Sequence, residues 1–227
     1  MKHVLYVANG ACFTSPVRGK ASDNDSKARE LLMDTAETLI AERGMGVSLR
    51  EIAARAGQRN NSAVIYHFGN HDGLIAATLD RRMSVLDERR RQLLAELDAR
   101  ADVTVEDVLT AIIAPALDLP YRSGATHYAR FVEQIRTHPV IASTAPRTDD
   151  WAATMALTRR LSTCLPDHPR RDLARRIGLM ATTMFAVMAD YERRGELISA
   201  RGRTRACREL VPILAAVLTA RTTDATS

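Results

Sequence analysis

The stretch ERGMGVSLREIAARAGQRNNSAVIYHFGNHDGL, residues 42–74, decides how the chain is read. Gly44 follows a run of helical spacing (Leu31, Leu32, Thr35, Ala36, Leu39, Ile40) and suits the left-handed residue that closes a helix. Ser48-x-x-Glu51 is the pattern of a capping box, in which a serine hydroxyl and a glutamate satisfy each other's backbone N–H groups. Ile52, Ala53 and Ala56 then share one face of a short helix that stops at Gly57. Gln58-Arg59-Asn60 form a turn, and a third helix runs from Asn61 to Phe68. Gly69 ends it, and Asn70 is placed to cap a fourth helix beginning at His71-Asp72.

A short helix, a glycine-bearing turn and another short helix, braced by a longer helix before them, make a helix-turn-helix unit. The first helix with Ile52, Val64 and Phe68 is expected to form a small core. That core would hold the third helix so that its first residues project into a DNA major groove. Small and amide side chains there allow close approach to base edges.

The segment from Ala36 to Leu79 resembles the DNA-binding domain of TetR-family (tetracycline-repressor-like) transcriptional regulators. The resemblance lies in Glu42-Arg43-Gly44, Ser48-Leu49-Arg50-Glu51-Ile52-Ala53, Ala56-Gly57, Tyr66-His67-Phe68 and Asp72-Gly73-Leu74. The chain departs from the family pattern in three places. The turn through Gln58-Arg59-Asn60-Asn61 is one residue longer, Ile65 stands where tyrosine is usual, and His71 stands where lysine is usual. The resemblance implies an all-α protein: an N-terminal three-helix DNA-binding domain followed by a larger helical domain that binds a ligand and dimerises. The expected division is an N-terminal arm over 1–24, the DNA-binding domain over 25–78 and the second domain over 79–227.

Working outward, residues 1–24 show no sustained periodicity. Val4-Leu5-Tyr6-Val7-Ala8 is too short for a secretory signal and is broken by Asn9, so a cytoplasmic location is expected. Ser26 with Glu30 gives a start signal for the first helix. The fourth helix is expected to run about eight turns to near Arg100. Further helices are expected at 105–117 with Pro115 inside, 126–137, 149–165, 170–194 and 204–220, with turns at Pro120, around 143–148, and between Pro166 and Pro169. The helix at 170–194 carries a stripe of Leu173, Ile177, Met180, Met184, Val187, Met188 and Tyr191. The one at 204–220 carries Cys207, Leu210, Val211, Leu214, Val217 and Leu218. Periodicity alone makes such stripes core. The family resemblance implies that these two helices of each subunit also build a homodimer interface.

Composition fits. The 227 residues are 46% hydrophobic and 26% charged, ordinary for a packed domain and against disorder as the main state. Aromatics are 4%, lysines number three, and strand formers are not clustered, which favours helices. Cys12, Cys164 and Cys207 are odd in number and far apart, against a disulfide framework or a cysteine zinc site. The net charge of +5 permits nucleic-acid binding, but residues 1–72 hold nine Lys/Arg against eight Asp/Glu. DNA binding therefore has to rest on geometry rather than bulk charge.

The candidate DNA-contacting residues are Arg50, Arg59, Asn60, Asn61, Ser62, Ala63, Ile65, Tyr66, His67 and His71. Asn61 is suited to adenine, Ser62 to base or phosphate, Ala63 to a thymine methyl, and Arg50, Arg59, Tyr66 and His67 to phosphate. Asn61 and Ser62 also suit helix capping, a role that can coexist with DNA contact, and the other reading of Tyr66 is packing on the first helix. His67 and His71 have metal-ligand spacing, but Gly69-Asn70 breaks the helix between them, and no metal or other cofactor is expected. No nucleophile elbow or phosphate-cradling glycine loop is present, so the chain does not read as an enzyme. Glu133 and Asp190 are the acids considered for a cleft. For an apolar effector pocket the candidates are Leu117, Tyr128, Phe131, Gln134, Trp151, Met155, Met180, Met184 and Phe185, with Arg130 as a further polar group. The expected function is a repressor released from a palindromic operator by a small, largely apolar molecule. The alternative is a constitutive DNA-binding dimer with a solid core and no effector.

Overall fold

The computed structural model describes residues 23–119, 127–139 and 151–220. Among these residues there are nine helices and no strand: α1 (Asp23–Arg43), α2 (Leu49–Arg55), α3 (Ser62–Phe68), α4 (His71–Asp98), α5 (Val105–Leu117), α6 (Tyr128–Ile135), α7 (Ala152–Cys164), α8 (Arg170–Arg193) and α9 (Ala200–Thr219). None is long and apolar enough to cross a membrane. The expected turns at Pro120 and around 143–148, and the expected helix start at Asp149, lie outside the described residues.

Local chemistry sets most boundaries. Gly44, Gly57 and Gly69 all have positive φ (81°, 71° and 79°), the region that a side chain opposes. Ser48 accepts from the Glu51 N–H at 3.2 Å, and Asn70 accepts from the Gly73 N–H at 2.8 Å. The expected box at Ser48 is only half built, because the Glu51 carboxylate turns to Arg43 at the end of α1. A complete box occurs at α5, where Thr104 and Asp107 cap each other. Two starts come earlier than expected. Helix α1 already includes Asp23 and Asn24, so Ser26 lies inside it and the boundary of the arm at 24 is too late. Helix α9 begins at Ala200 rather than 204, because Ser199 accepts from the Gly202 N–H.

Helix α4, 28 residues and about 42 Å long, is the spine. Its start packs on α1 and α3, and its later turns pack on α5 and α7. The division placed at Leu79 therefore falls inside one continuous helix. A single apolar core runs from Leu32, Ile52 and Val64 through Leu74 and Leu86 to Ile113, Phe131, Leu157 and Leu214. The stripes of α8 and α9 face into it: Leu173, Met180, Met184, Met188, Leu210, Leu214 and Leu218 are all buried.

Buried charges lock the helices in place. Glu37 on α1 is 1% exposed and accepts from Arg82 Nε on α4 at 2.7 Å, with Arg81 at 3.4 Å. Asp87 of α4 accepts the Ala153 and Thr154 N–H groups at the start of α7. Glu192 of α8 does the same for Ala129 and Arg130 at the start of α6, both at 3.0 Å. Carboxylates at helix N-termini complement unpaired N–H groups and the helix dipole. Burial nevertheless dominates at Glu192 and pushes its pKa up to about 6.

Candidate nucleic-acid interface

Helix α3 has only seven residues, so which of them point outward is set by its anchors. Val64 is fully buried. Phe68 packs against the core, with the Arg29 guanidinium 5.3 Å from its ring centroid. The opposite face comprises Asn61, Ser62, Ile65 and Tyr66, all exposed. Ile65 is 51% exposed and Tyr66 76%. Tyr66 is therefore largely in solvent rather than packed on α1, and among the described residues no hydrogen bond engages its hydroxyl, which leaves it able to reach a phosphate.

Position 67 takes the place expected for Tyr66. The His67 side chain is 8% exposed, and its Nε2 faces Asp25 on α1 at 3.5 Å. His67 was expected to contact phosphate; the structure corrects that, because the imidazole is turned onto α1 beside an acid. His71 is half-buried, and its Nε2 has no hydrogen-bond partner among the described residues. Ala63 is half-buried against the core rather than fully presented. Capping of α3 falls to Asn60, whose Oδ1 accepts from the Ser62 N–H at 2.9 Å. The Asn61 side chain makes no cap bond, which leaves its amide available to a base edge. Arg50 and Arg59 are exposed, in the first turn of α2 and in the turn before α3.

Two residues beyond the expected set belong to this face. Asn24 and Gln58 line an open recess of about 360 Å³ together with Asp25, Ala28, Ser62, Ala63, Tyr66 and His67. Gln58 was visible as a turn residue. Asn24 was hidden because nothing periodic marks the first turn of α1.

The residues proposed for an effector pocket are distributed differently from expectation. Leu117, Tyr128, Phe131, Met180 and Met184 are buried core, while Trp151, Met155 and Phe185 are half-buried. Tyr128 meets Phe185 edge to face at 5.9 Å and donates to Met83 Sδ at 3.4 Å. Burial pushes the Tyr128 phenol up to about 12, so it is a neutral donor. A Cβ added at Gly44 would meet Gln134 Oε1 at 3.2 Å, which places the half-buried Gln134 where α6 meets the end of α1. Arg130 is engaged with His127 Nδ1 at 2.6 Å and with Glu192 at 3.7 Å. Glu133 and Asp190, considered as cleft acids, both pair with Arg193. Cys164 and Cys207 are half-buried thiols whose pKa values burial raises. Among the described residues no three His, Cys, Asp or Glu side chains group to hold a metal.

A helix-turn-helix braced by α1, with an exposed recognition face and a large helical domain behind it, defines a DNA-binding regulator. Residues 32–78 match the family model of bacterial regulatory proteins of the tetR family. Residues 110–217 match the model of the tetracyclin repressor-like C-terminal domain. Together these matches cover more than half of the chain, which belongs to the TetR family of transcription regulators and is not an enzyme. Similar solved structures include the TetR-like regulator LfrR from Mycobacterium smegmatis in complex with proflavine. It is 16% identical, with 88% of this chain and 99% of that one covered, at a TM-score of 0.53. Another is NalD, the secondary repressor of the MexAB-OprM multidrug efflux pump in Pseudomonas aeruginosa. It is 19% identical, with 86% and 98% covered, at a TM-score of 0.54. Both likenesses are of fold.

Proposed function

We propose that the protein is a homodimeric repressor that leaves a palindromic operator when a small molecule enters its C-terminal domain. The observation behind this reading is the outward face of α3, set by the packing of Val64 and Phe68, with Arg50 and Arg59 exposed on α2 and on the turn before α3. Each subunit would set that face in a major groove, with Arg50, Arg59 and Tyr66 on phosphates and Asn61, Ser62 and Ile65 at base edges.

Dimerisation is supported by the second, outward faces of α8 and α9. Gly178, Leu179, Thr182 and Ala186 on one helix, and Pro212, Ile213 and Ala216 on the other, are exposed. Leu179 and Ile213 stand 47% and 49% in solvent. Exposed small and apolar side chains on adjacent helices suit a bundle with a second copy. Response to a ligand is supported by two similar proteins, one a repressor of a multidrug efflux pump and the other solved with proflavine. A ligand shifts the balance between DNA-competent and incompetent arrangements only by its difference in affinity for the two. The alternative, a dimer that binds DNA without an effector, is favoured by the burial of Leu117, Tyr128, Phe131, Met180 and Met184.

The test is a titration of the full chain against the DNA upstream of its own gene at two salt concentrations, repeated with a panel of small aromatic compounds. Selective, salt-weakened binding that a compound reverses supports the repressor. Selective binding that no compound changes, with no thermal stabilisation by any of them, supports the constitutive dimer. Binding without sequence preference overturns both.

A further inference from the structure

The outward face of α3 is peculiar in its chemistry. From Ser62 to Phe68 the helix contains no Lys, Arg, Asp or Glu. Of its outward side chains, Ser62 is a hydroxyl, Tyr66 is a phenol free to reach a phosphate, and Ile65 is aliphatic and half in solvent. Asn61 adds an amide at the helix entry. The helix itself offers none of the bidentate arginine or lysine contacts that usually read guanine. On a DNA-facing helix a half-exposed isoleucine is suited to the apolar group that a B-form major groove presents, the thymine C5-methyl group.

We infer that Ile65 reads a 5-methylpyrimidine, so that the operator requires thymine, one in each half-site, beneath the middle of α3. This rests on the DNA-reading role proposed above for the same face. Ala63, the expected methyl contact, is half-buried and packed against the core, and lines the recess that Ser62 and Tyr66 share. Ile65 is 51% exposed and branches at Cβ, so its χ1 is strongly restricted and its γ-methyl group is presented at a small ordering cost. The neighbouring Asn61 amide and Ser62 hydroxyl then fall on the base pairs toward the turn, and Arg59 reaches outside the helix to phosphate.

The experiment uses the full chain and the duplex that it enriches from a random library. Each thymine of the enriched half-site is replaced in turn by deoxyuridine, which removes the methyl group and leaves every hydrogen-bonding edge unchanged. At one position per half-site the replacement weakens wild-type binding about fourfold, the ratio expected for one buried methyl group. Ile65→Ala, folded because the side chain is half exposed, binds the thymine duplex more weakly and shows no penalty for deoxyuridine at that position. Arg59→Ala also binds more weakly but keeps the fourfold penalty. At the same position, cytosine opposite guanine weakens binding, and 5-methylcytosine recovers the methyl share of that loss. The inference is overturned if every deoxyuridine costs less than about 1.5-fold, or if Ile65→Ala retains the full penalty. A sequence-selective duplex without methyl sensitivity refutes the role of Ile65 alone. Failure to enrich any sequence refutes the DNA-reading role and this inference with it.

Discussion

Replacing Glu37 with glutamine tests the reasoning about how the DNA-reading unit is fixed to the rest of the molecule. Glu37 is 1% exposed, its carboxylate lies 2.7 Å from Arg82 Nε, and Arg82 is itself only 8% exposed. Arg81 adds a second guanidinium at 3.4 Å and spreads to Glu30 and Asp34 at 2.9 and 2.8 Å. The amide keeps the shape and removes the charge, so Arg82 loses its closest charged partner while Asp34 stays at 3.7 Å. Breaking one side of a buried pair costs about 3–5 kcal/mol. Arg81 and its other acids soften the loss, so about 3 kcal/mol is expected at the lower end of that range. For a chain of this size that lowers the melting temperature by about 6–12 °C. Urea unfolding followed by far-ultraviolet circular dichroism, at one fixed protomer concentration, measures it. Glu37→Met with Arg82→Met should lose less than the two single changes added together, because no uncompensated charge remains. A Glu37→Gln variant within about 0.5 kcal/mol of wild type, or strictly additive singles, would refute the reasoning.

Four further outcomes follow from other parts of the structure. Glu192 has a folded pKa of about 6 against a reference of 4.5, so the folded state holds its proton more tightly and stability falls as pH rises through that interval. Glu192→Gln should therefore gain about 2 kcal/mol relative to wild type between pH 4.5 and 7, and a flat difference in paired denaturation curves would contradict the assignment. Gly44→Ala should destabilise by about 1–2 kcal/mol, because φ is +81° and the new Cβ would press on Gln134, whereas Gly44→Asn should lose less; equal stability of the three proteins in urea would count against it. Arg59→Ala should lower the slope of log affinity against log salt by about 0.9, as expected for one lost phosphate contact; an unchanged slope would remove Arg59 from the interface. Leu179→Glu with Ile213→Glu should yield a folded monomer by analytical ultracentrifugation and abolish tight operator binding, and a stable dimer would move the interface elsewhere.

Features governed by a few neighbouring residues were legible in the sequence. The glycine at 44 that ends α1, Ser48 and Asn70 as caps, the proline-bounded turn between α7 and α8, and α5 at 105–117 all follow from backbone sterics and short-range hydrogen bonds. The order of glycines, caps and apolar positions between 42 and 74 also identified the helix-turn-helix. The facing of individual side chains required the fold. Successive helical residues are rotated by about 100°, and a helix of seven residues is too short for its periodicity to fix that phase. Packing of Val64 and Phe68 decided that Tyr66 points outward while His67 turns onto Asp25. The partners of charged groups were equally out of reach of local reading. Glu37 with Arg82, Asp87 with the start of α7, and Glu192 with the start of α6 join positions 45 to 67 residues apart. Burial of those carboxylates is favourable only once tertiary packing supplies the guanidinium or the unpaired N–H groups. Sequence thus determined the order of the helices, the caps and glycines that bound several of them, and what kind of unit they make. Only the packed structure decided which side chains remain free to touch DNA.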